Sequence, residues 1–211
     1  MKILTFRGNG FEENAYLIKN ADIVDLIDPG FNFSDIDKYL KDNNLSLRYI
    51  LLTHGHIDHI GELAEFIREY KDIKIFISTE DYPLLFDKTL NASDYFEINK
   101  KELKKLDNIH QVKDQEKIDE YIFHKTPGHT IGSMVIEYKG YLFTGDTLFK
   151  GTVGRTDLPT GSLSDLNHSL KYIASHFSKQ TIILPGHYAT TTLKDELKDN
   201  IYMRRMKWLY S

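Results

Sequence analysis

Thr53-His54-Gly55-His56-Ile57-Asp58-His59-Ile60-Gly61 follows directly on the apolar run Tyr49-Ile50-Leu51-Leu52, and the rest of the chain is read from this junction. An apolar run that stops abruptly in polar residues reads as a buried strand, and open α/β sheets place their ligand crevices beyond strand C-termini. In an extended segment His54 and His56 point to one side because the side-chain period is two, and the turn through Asp58 and His59 adds two more donors. H-x-H-x-D-H is therefore a metal-ligand spacing, with donors enough for one metal or two neighbouring ones. For a chain with nine histidines in 211 residues, the odds of such a pattern by chance are on the order of one in a thousand. Chance clustering would also leave no matching ligands elsewhere, whereas three more follow downstream.

Length and a 41% hydrophobic content allow a sizeable core and point to a single domain, residues 1–211. Net charge is -4, with Lys and Arg interspersed among Asp and Glu, so no basic face announces a nucleic-acid partner. Cysteine is absent, which excludes disulfides, thiolate ligands and a Cys nucleophile and leaves imidazole and carboxylate as the good metal donors. The N-terminus lacks an apolar core of signal-peptide length and no run is long enough to span a bilayer, so a cytoplasmic protein without a membrane partner is expected.

Lys2–Phe6, Asn14–Lys19 and Ile23–Ile27 read as strands of a meander, the third ending in Asp28-Pro29-Gly30. Asp28 is either a turn former or a carboxylate that orients a ligand histidine. Ser34 and Asp37 make a capping-box-like start to a helix that carries Ile36, Tyr39 and Leu40 and stops at Asn43-Asn44. Ile60, Leu63, Ala64, Ile67 and Tyr70 form a second helical stripe, and Ile73–Ile77 a further strand. Strand-helix alternation of this kind implies a layered α/β domain. Residues 79–120 show no clean period and read as solvated surface, with a helix around Leu103 and Leu106 or an overhanging loop at Lys88–Tyr95 as the alternatives.

Order returns with the strand Tyr121–His124, then Pro127-Gly128-His129, and a hairpin of Ser133–Tyr138 with Tyr141–Thr144 that ends in Gly145-Asp146-Thr147. Arg155 and Asp157 in the turn-rich segment 151–161 either pair and brace the loop, or Arg155 meets an anionic substrate. Leu163, Leu166, Leu170, Ile173 and Phe177 mark a helix that leaves His168 and His176 exposed and inert. The last buried strand, Thr181–Leu184, ends at Pro185-Gly186-His187, and residues from Leu193 onward read as a basic, aromatic helical tail that caps the domain. Strand ends thus deliver His54, His56, Asp58, His59, His129, Asp146 and His187, a set suited to two metals sharing one carboxylate.

Thr53–His59 (THGHIDH), Thr126–Thr130 (TPGHT), Thr144–Phe149 (TGDTLF), Gly154–Pro159 (GRTDLP) and Pro185–His187 (PGH) resemble, in order and spacing, the metallo-β-lactamase fold superfamily. Within it the chain looks most like the glyoxalase II (hydroxyacylglutathione hydrolase-like) thioester hydrolases, and the resemblance runs from Asn14-Ala15-Tyr16 through His187. It implies a four-layer αββα sandwich with two divalent metal ions, zinc first and iron or manganese as alternatives. His54, His56 and His129 would hold one ion and Asp58, His59 and His187 the other, with Asp146 bridging and Asp58 and Asp146 as the catalytic carboxylates. The implied activity is hydrolysis of a small-molecule hydroxyacyl-thiol thioester by a metal-bridging hydroxide. The commonest zinc β-lactamases use a Cys ligand that this chain lacks, which disfavours antibiotic hydrolysis. The longer glyoxalase II proteins carry a C-terminal helical domain, and the residues after Leu193 are too few for one, so a short form is expected. GRTDLP is also similar to persulfide dioxygenases, which place a single iron on the positions of His54, His129 and Asp146; these are all present, and that activity is the alternative.

Overall fold

Whether a strand is buried on one face or on both follows its sequence pattern. β1 (Lys2–Arg7) alternates between exposed and half-buried residues and pairs antiparallel with β2 (Asn14–Asn20). The near-continuous apolar residues of β3 (Ile23–Ile27), β4 (Ser46–Leu51) and β5 (Lys74–Ser78) pair parallel, as strands covered on both faces do. The computed structural model describes residues 1–8, 10–98, 103 and 108–204, which fall into two compact units, Met1–Gln111 and Val112–Ser211.

The first unit holds a mixed sheet in the order β1-β2-β3-β4-β5-β6, with β6 at Ile109–Val112. Parallel strands need a crossover, and α1 (Phe33–Asp42) supplies it between β3 and β4. Ile36 and Leu40 of α1 pack with Leu63 and Phe66 of α3 (Leu63–Glu69) against Leu26, Ile50 and Ile75 of the sheet; each such burial contributes about 1.5–3 kcal/mol. The expected capping box is absent: Asn32 is the N-cap and makes no side-chain cap bond. Instead the amide of Phe33 donates to Glu62 Oε2 at 2.7 Å, a carboxylate placed where the free N–H groups and the dipole of α1 favour one. The helix expected over Ile60–Tyr70 is broken into α2 (Ile57–Ile60) and α3, and at the break the Gly30 amide donates to the His59 carbonyl and the Glu62 amide to the Gly30 carbonyl, both at 3.0 Å.

The second unit repeats the scheme in the order β14-β13-β10-β9-β8-β7. Its members are β7 (Glu116–Ile118), β8 (Tyr121–Lys125), β9 (Met134–Tyr138), β10 (Tyr141–Gly145), β13 (Ile182–Pro185) and β14 (Thr191–Thr192), and α4 (Leu163–His176) crosses between the parallel β10 and β13. A small ribbon of β11 (Leu148–Phe149) and β12 (Thr152–Val153) follows β10. Leu166, Leu170, Ile173 and Phe177 line the buried face of α4 as the stripe predicts, while Leu163 at its first residue is exposed. Leu193 and Leu197 of α5 (Leu193–Asp199) and Met203 of α6 (Ile201–Arg204) join that core, so the described part of the tail caps the unit.

The solvated-surface reading of residues 79–120 is wrong for its first part. Leu84, Leu85, Asn91, Ala92 and Ser93 are buried and a 3-10 turn spans Tyr82–Leu85. The cause is tertiary: this stretch packs on the loop after β4, as described below. The helix considered around Leu103 and Leu106 and the tail beyond Arg204 fall largely or wholly outside the described residues. Among the described residues no helix is long and apolar enough to cross a membrane.

Candidate metal centre

Because β3, β4 and β5 run parallel, their C-terminal ends share one edge of the first sheet, and the residues just beyond them converge. Those residues are Asp28 after β3, Thr53 and His54 after β4, and Asp81 after β5. His54 lies in the loop, His56 is the N-cap of α2, and Asp58 and His59 stand on α2 itself. The His54 ring lies 5.1 Å from that of His56 and 4.2 Å from that of His59, centre to centre, and His59 Nε2 is 3.7 Å from Asp58 Oδ2. All three imidazoles are buried.

Their orientation follows from hydrogen-bond bookkeeping around Asp28, whose backbone adopts a left-handed φ of 47°. Oδ1 accepts from the Thr53 amide at 2.8 Å, while Oδ2 accepts from the Thr53 hydroxyl at 2.6 Å and lies 3.0 Å from His59 Nδ1. An ionised carboxylate only accepts, so His59 Nδ1 donates and its lone pair sits on Nε2. The single Thr53 hydroxyl proton goes to Asp28, so His54 Nδ1, 3.1 Å from that oxygen, donates to it and likewise presents Nε2. Asp28 is therefore the orienting carboxylate and not merely a turn former.

Three residues that sequence reasoning passed over hold this loop. The Gly55 amide, between the two histidines, donates to Asp81 Oδ2 at 3.0 Å, and the Ile57 amide donates to the Asn91 carbonyl at 2.9 Å. A side chain at Gly55 would collide with Leu84. Glu13, fully buried, accepts from the Phe31 amide at 2.8 Å and from Asn32 Nδ2 at 3.4 Å through Oε1. Burial pushes its carboxyl above the ordinary carboxylate range, against the Phe31 hydrogen bond and the nearby His59, which favour the charged form. Asp81 was findable by the strand-end rule that found the histidines, since β5 runs parallel to β4; Glu13 carries no comparable signal.

In the second unit, His129 sits between β8 and β9, Asp146 directly after β10, and His187 after β13. The parallel register of β10 and β13 brings the latter two strand ends level, and the Gly186 amide donates to the Gly145 carbonyl at 2.8 Å. Asp146 Oδ2 lies 3.4 Å from His129 Nε2 and 3.6 Å from His187 Nε2. His129 Nδ1 is 2.8 Å from the Arg155 carbonyl, which can only accept, so Nε2 again carries the lone pair on the Asp146 side. Gly154 packs so tightly here that a Cβ would lie 1.8 Å from the Asp146 carbonyl oxygen. Of the two alternatives for Arg155 the structure shows the pair with Asp157, a fork with Nε–Oδ1 at 2.7 Å and a second contact at 2.8 Å, and the guanidinium holds the exposed Asp157 carboxyl down to about 2. His168 and His176 are exposed as expected, but His176 stacks on Tyr172 at 4.7 Å.

The donors of both units are imidazole nitrogens and carboxylate oxygens, a chemistry that fits divalent zinc, iron or manganese and not a thiolate-loving ion. The oriented Nε2 atoms fit that role, since ligand histidines donate their other ring N–H to a carboxylate, hydroxyl or carbonyl.

A family model described as the metallo-β-lactamase superfamily matches residues 8–187. Hydroxyacylglutathione hydrolase GloC of Haemophilus influenzae is 32% identical over 92% of this chain and 93% of its own length. A probable metallo-hydrolase of Bacillus subtilis, YqgX, is 32% identical over 91% and 92%. Among solved structures, the BLEG-1 B3 metallo-β-lactamase superposes with a TM-score of 0.86 at 29% identity, over 96% of this chain and 99% of that one. TTHA1623 in a di-iron-bound form gives 0.85 at 28%, over 96% and 100%. These likenesses establish the α/β fold class expected from the strand-helix alternation.

Proposed function

The chain belongs to the metallo-β-lactamase superfamily, and from that premise we propose that it is a binuclear hydrolase of hydroxyacyl-thiol thioesters. The observation that carries the binuclear reading is the single carboxylate oxygen of Asp146 within 3.6 Å of both His129 Nε2 and His187 Nε2. A carboxylate so placed suits a bridge between an ion on His54, His56 and His129 and a second on Asp58, His59 and His187. The thioester reading is supported by relatives named hydroxyacylglutathione hydrolase.

When bound, the two ions would lower the pKa of a shared water toward about 7 and polarise the substrate carbonyl. The chain's part is to fix the donors: the Arg155 carbonyl holds His129, Asp28 holds His59 and, through Thr53, His54. A thiolate leaves readily, so the site needs no strong general acid and no Ser or Cys nucleophile. A small-molecule substrate in the cytoplasm, with no nucleic-acid or membrane partner, completes the proposal.

The test is elemental analysis of protein purified without chelator, with turnover of a lactoyl-glutathione-type thioester, a β-lactam, and glutathione persulfide under oxygen, on wild type and Asp58→Ala. Expected are close to two metals per wild-type chain and thioester turnover. Asp58→Ala should fall toward one metal and lose at least roughly 10²-fold in hydrolysis. Oxygen consumption with iron alone, no thioester turnover and an indifferent Asp58→Ala would replace the reading with the mononuclear dioxygenase. Preferential β-lactam turnover would replace the substrate class.

A further inference from the structure

Two carboxylates of the first unit are fully buried, lie outside the seven candidate ligands, and reach that ligand loop by different routes. Asp81 accepts the Gly55 amide, so it grips the backbone between His54 and His56. Glu13 accepts the Phe31 amide and so fixes the turn after β3. Within that turn the Gly30 amide donates to the His59 carbonyl at 3.0 Å, and the Glu62 amide donates to the Gly30 carbonyl at 3.0 Å. The turn thus clasps the C-terminal end of α2, the helix that carries Asp58 and His59. Close packing tightens both routes: a Cβ on Gly30 would lie 2.4 Å from Glu13 Oε1 and 2.6 Å from the Asp58 carbonyl oxygen, and one on Gly55 would lie 3.2 Å from the Asp81 carbonyl oxygen.

We propose that Glu13 and Asp81 are positioning residues with divided labour, Asp81 setting the His54/His56 pair for one ion and Glu13 setting the Asp58/His59 pair for the other. The division rests on the binuclear reading above. Removing either carboxylate leaves an amide without its acceptor, the half-buried Phe31 N–H or the buried Gly55 N–H, and that cost is relieved by shifting the backbone which carries one ligand pair. The other pair is held by a separate carboxylate and stays in place. Each acts on the metal at one remove, where losses of about 10–100-fold in affinity are typical.

The experiment measures zinc affinity by chelator competition and the occupancy of each metal position by anomalous diffraction at limiting zinc. It is run on wild type, Glu13→Ala, Asp81→Ala and the acceptor-preserving Glu13→Gln and Asp81→Asn. Asp81→Ala should weaken the ion on His54/His56 by about 10–100-fold, and Glu13→Ala the ion on Asp58/His59 by the same factor. In each, the other ion should stay within roughly threefold, the error of such comparisons, and Gln or Asn should restore the lost affinity. Equal weakening of both ions, or no weakening, overturns the division of labour, because a merely structural residue would not discriminate between them. Should an alanine variant be unfolded by circular dichroism, Glu13→Asp or Asp81→Glu, which moves the acceptor oxygen by one methylene, takes its place with the same outcomes. A wild type that takes up one ion overturns the binuclear reading itself, and this inference with it.

Discussion

The first unit takes four candidate ligands from the six consecutive residues His54 to His59, whereas the second takes His129, Asp146 and His187 from three separate strand ends. A short loop so dense in candidate ligands has few side chains left to brace it. Two of its bracing bonds therefore come from carboxylates outside it, Asp81 on the Gly55 amide and Asp28 on His59 Nδ1. Ligands at separate strand ends have the sheet ladder beneath them, and what holds them is backbone: the Arg155 carbonyl, the Gly186 to Gly145 hydrogen bond and the close approach of Gly154. Both loops resist a gained methyl group, but only the first should be fragile to loss of a bracing carboxylate.

The sharpest way to break the contrast is Gly154→Ala. Its new methyl would overlap the Asp146 carbonyl oxygen at 1.8 Å and press on His129 Nδ1 at 3.2 Å, and a misplacement on the order of 1 Å costs about 10²-fold in rate. Steady-state kinetics at saturating metal should show that loss in turnover; wild-type rates would mean the backbone clamp is slack.

Next in size is Asp28→Ala, which leaves His59 Nδ1, the Thr53 hydroxyl and the Thr53 amide without their acceptor. Metal affinity or activity should fall about 10–100-fold, read by chelator competition. Normal metal content would show that the first loop holds itself after all.

The smallest effect concerns a buried side-chain tie beneath the second unit's candidate ligands. His124 on β8 is buried, with Nε2 3.0 Å from Glu137 Oε2 and Nδ1 2.8 Å from the Tyr172 hydroxyl of α4. Burial holds its pKa below the ordinary histidine value, outweighing the hydrogen bond to Glu137 that pulls the other way. As pH falls through about 6.5 the unfolded chain binds a proton that the folded one refuses, so stability declines there and levels off below the folded pKa. Urea midpoints of metal-saturated protein between pH 7.5 and 5.5 should fall more steeply for wild type than for His124→Phe; parallel slopes would assign the pH dependence elsewhere.

What the sequence determined by itself was everything carried by local pattern. Apolar runs ending in His, Asp or Gly marked β3, β4, β10 and β13, the heptad-like stripe marked α4, and the strand-end rule named all seven candidate ligands, because the polar residue after a buried strand is visible without knowing its neighbours. The structure decided what depends on residues far apart in the chain. Ser34 and Asp37 look like a capping box, yet the carboxylate at the start of α1 comes from Glu62. Residues 79–120 read as solvated because Pro83, Asn91 and the charged run from Lys100 to Lys105 break any clean period, yet Asp81, Asn91 and Ser93 are buried, with Asp81 and the Asn91 carbonyl accepting from the amides of Gly55 and Ile57. Glu13 looks like one more charge beside Glu12, and its burial against Phe31 comes only when β2 and the turn after β3 are brought together. A buried carboxylate has its role set by which orphaned amide it meets, and that meeting is a tertiary event.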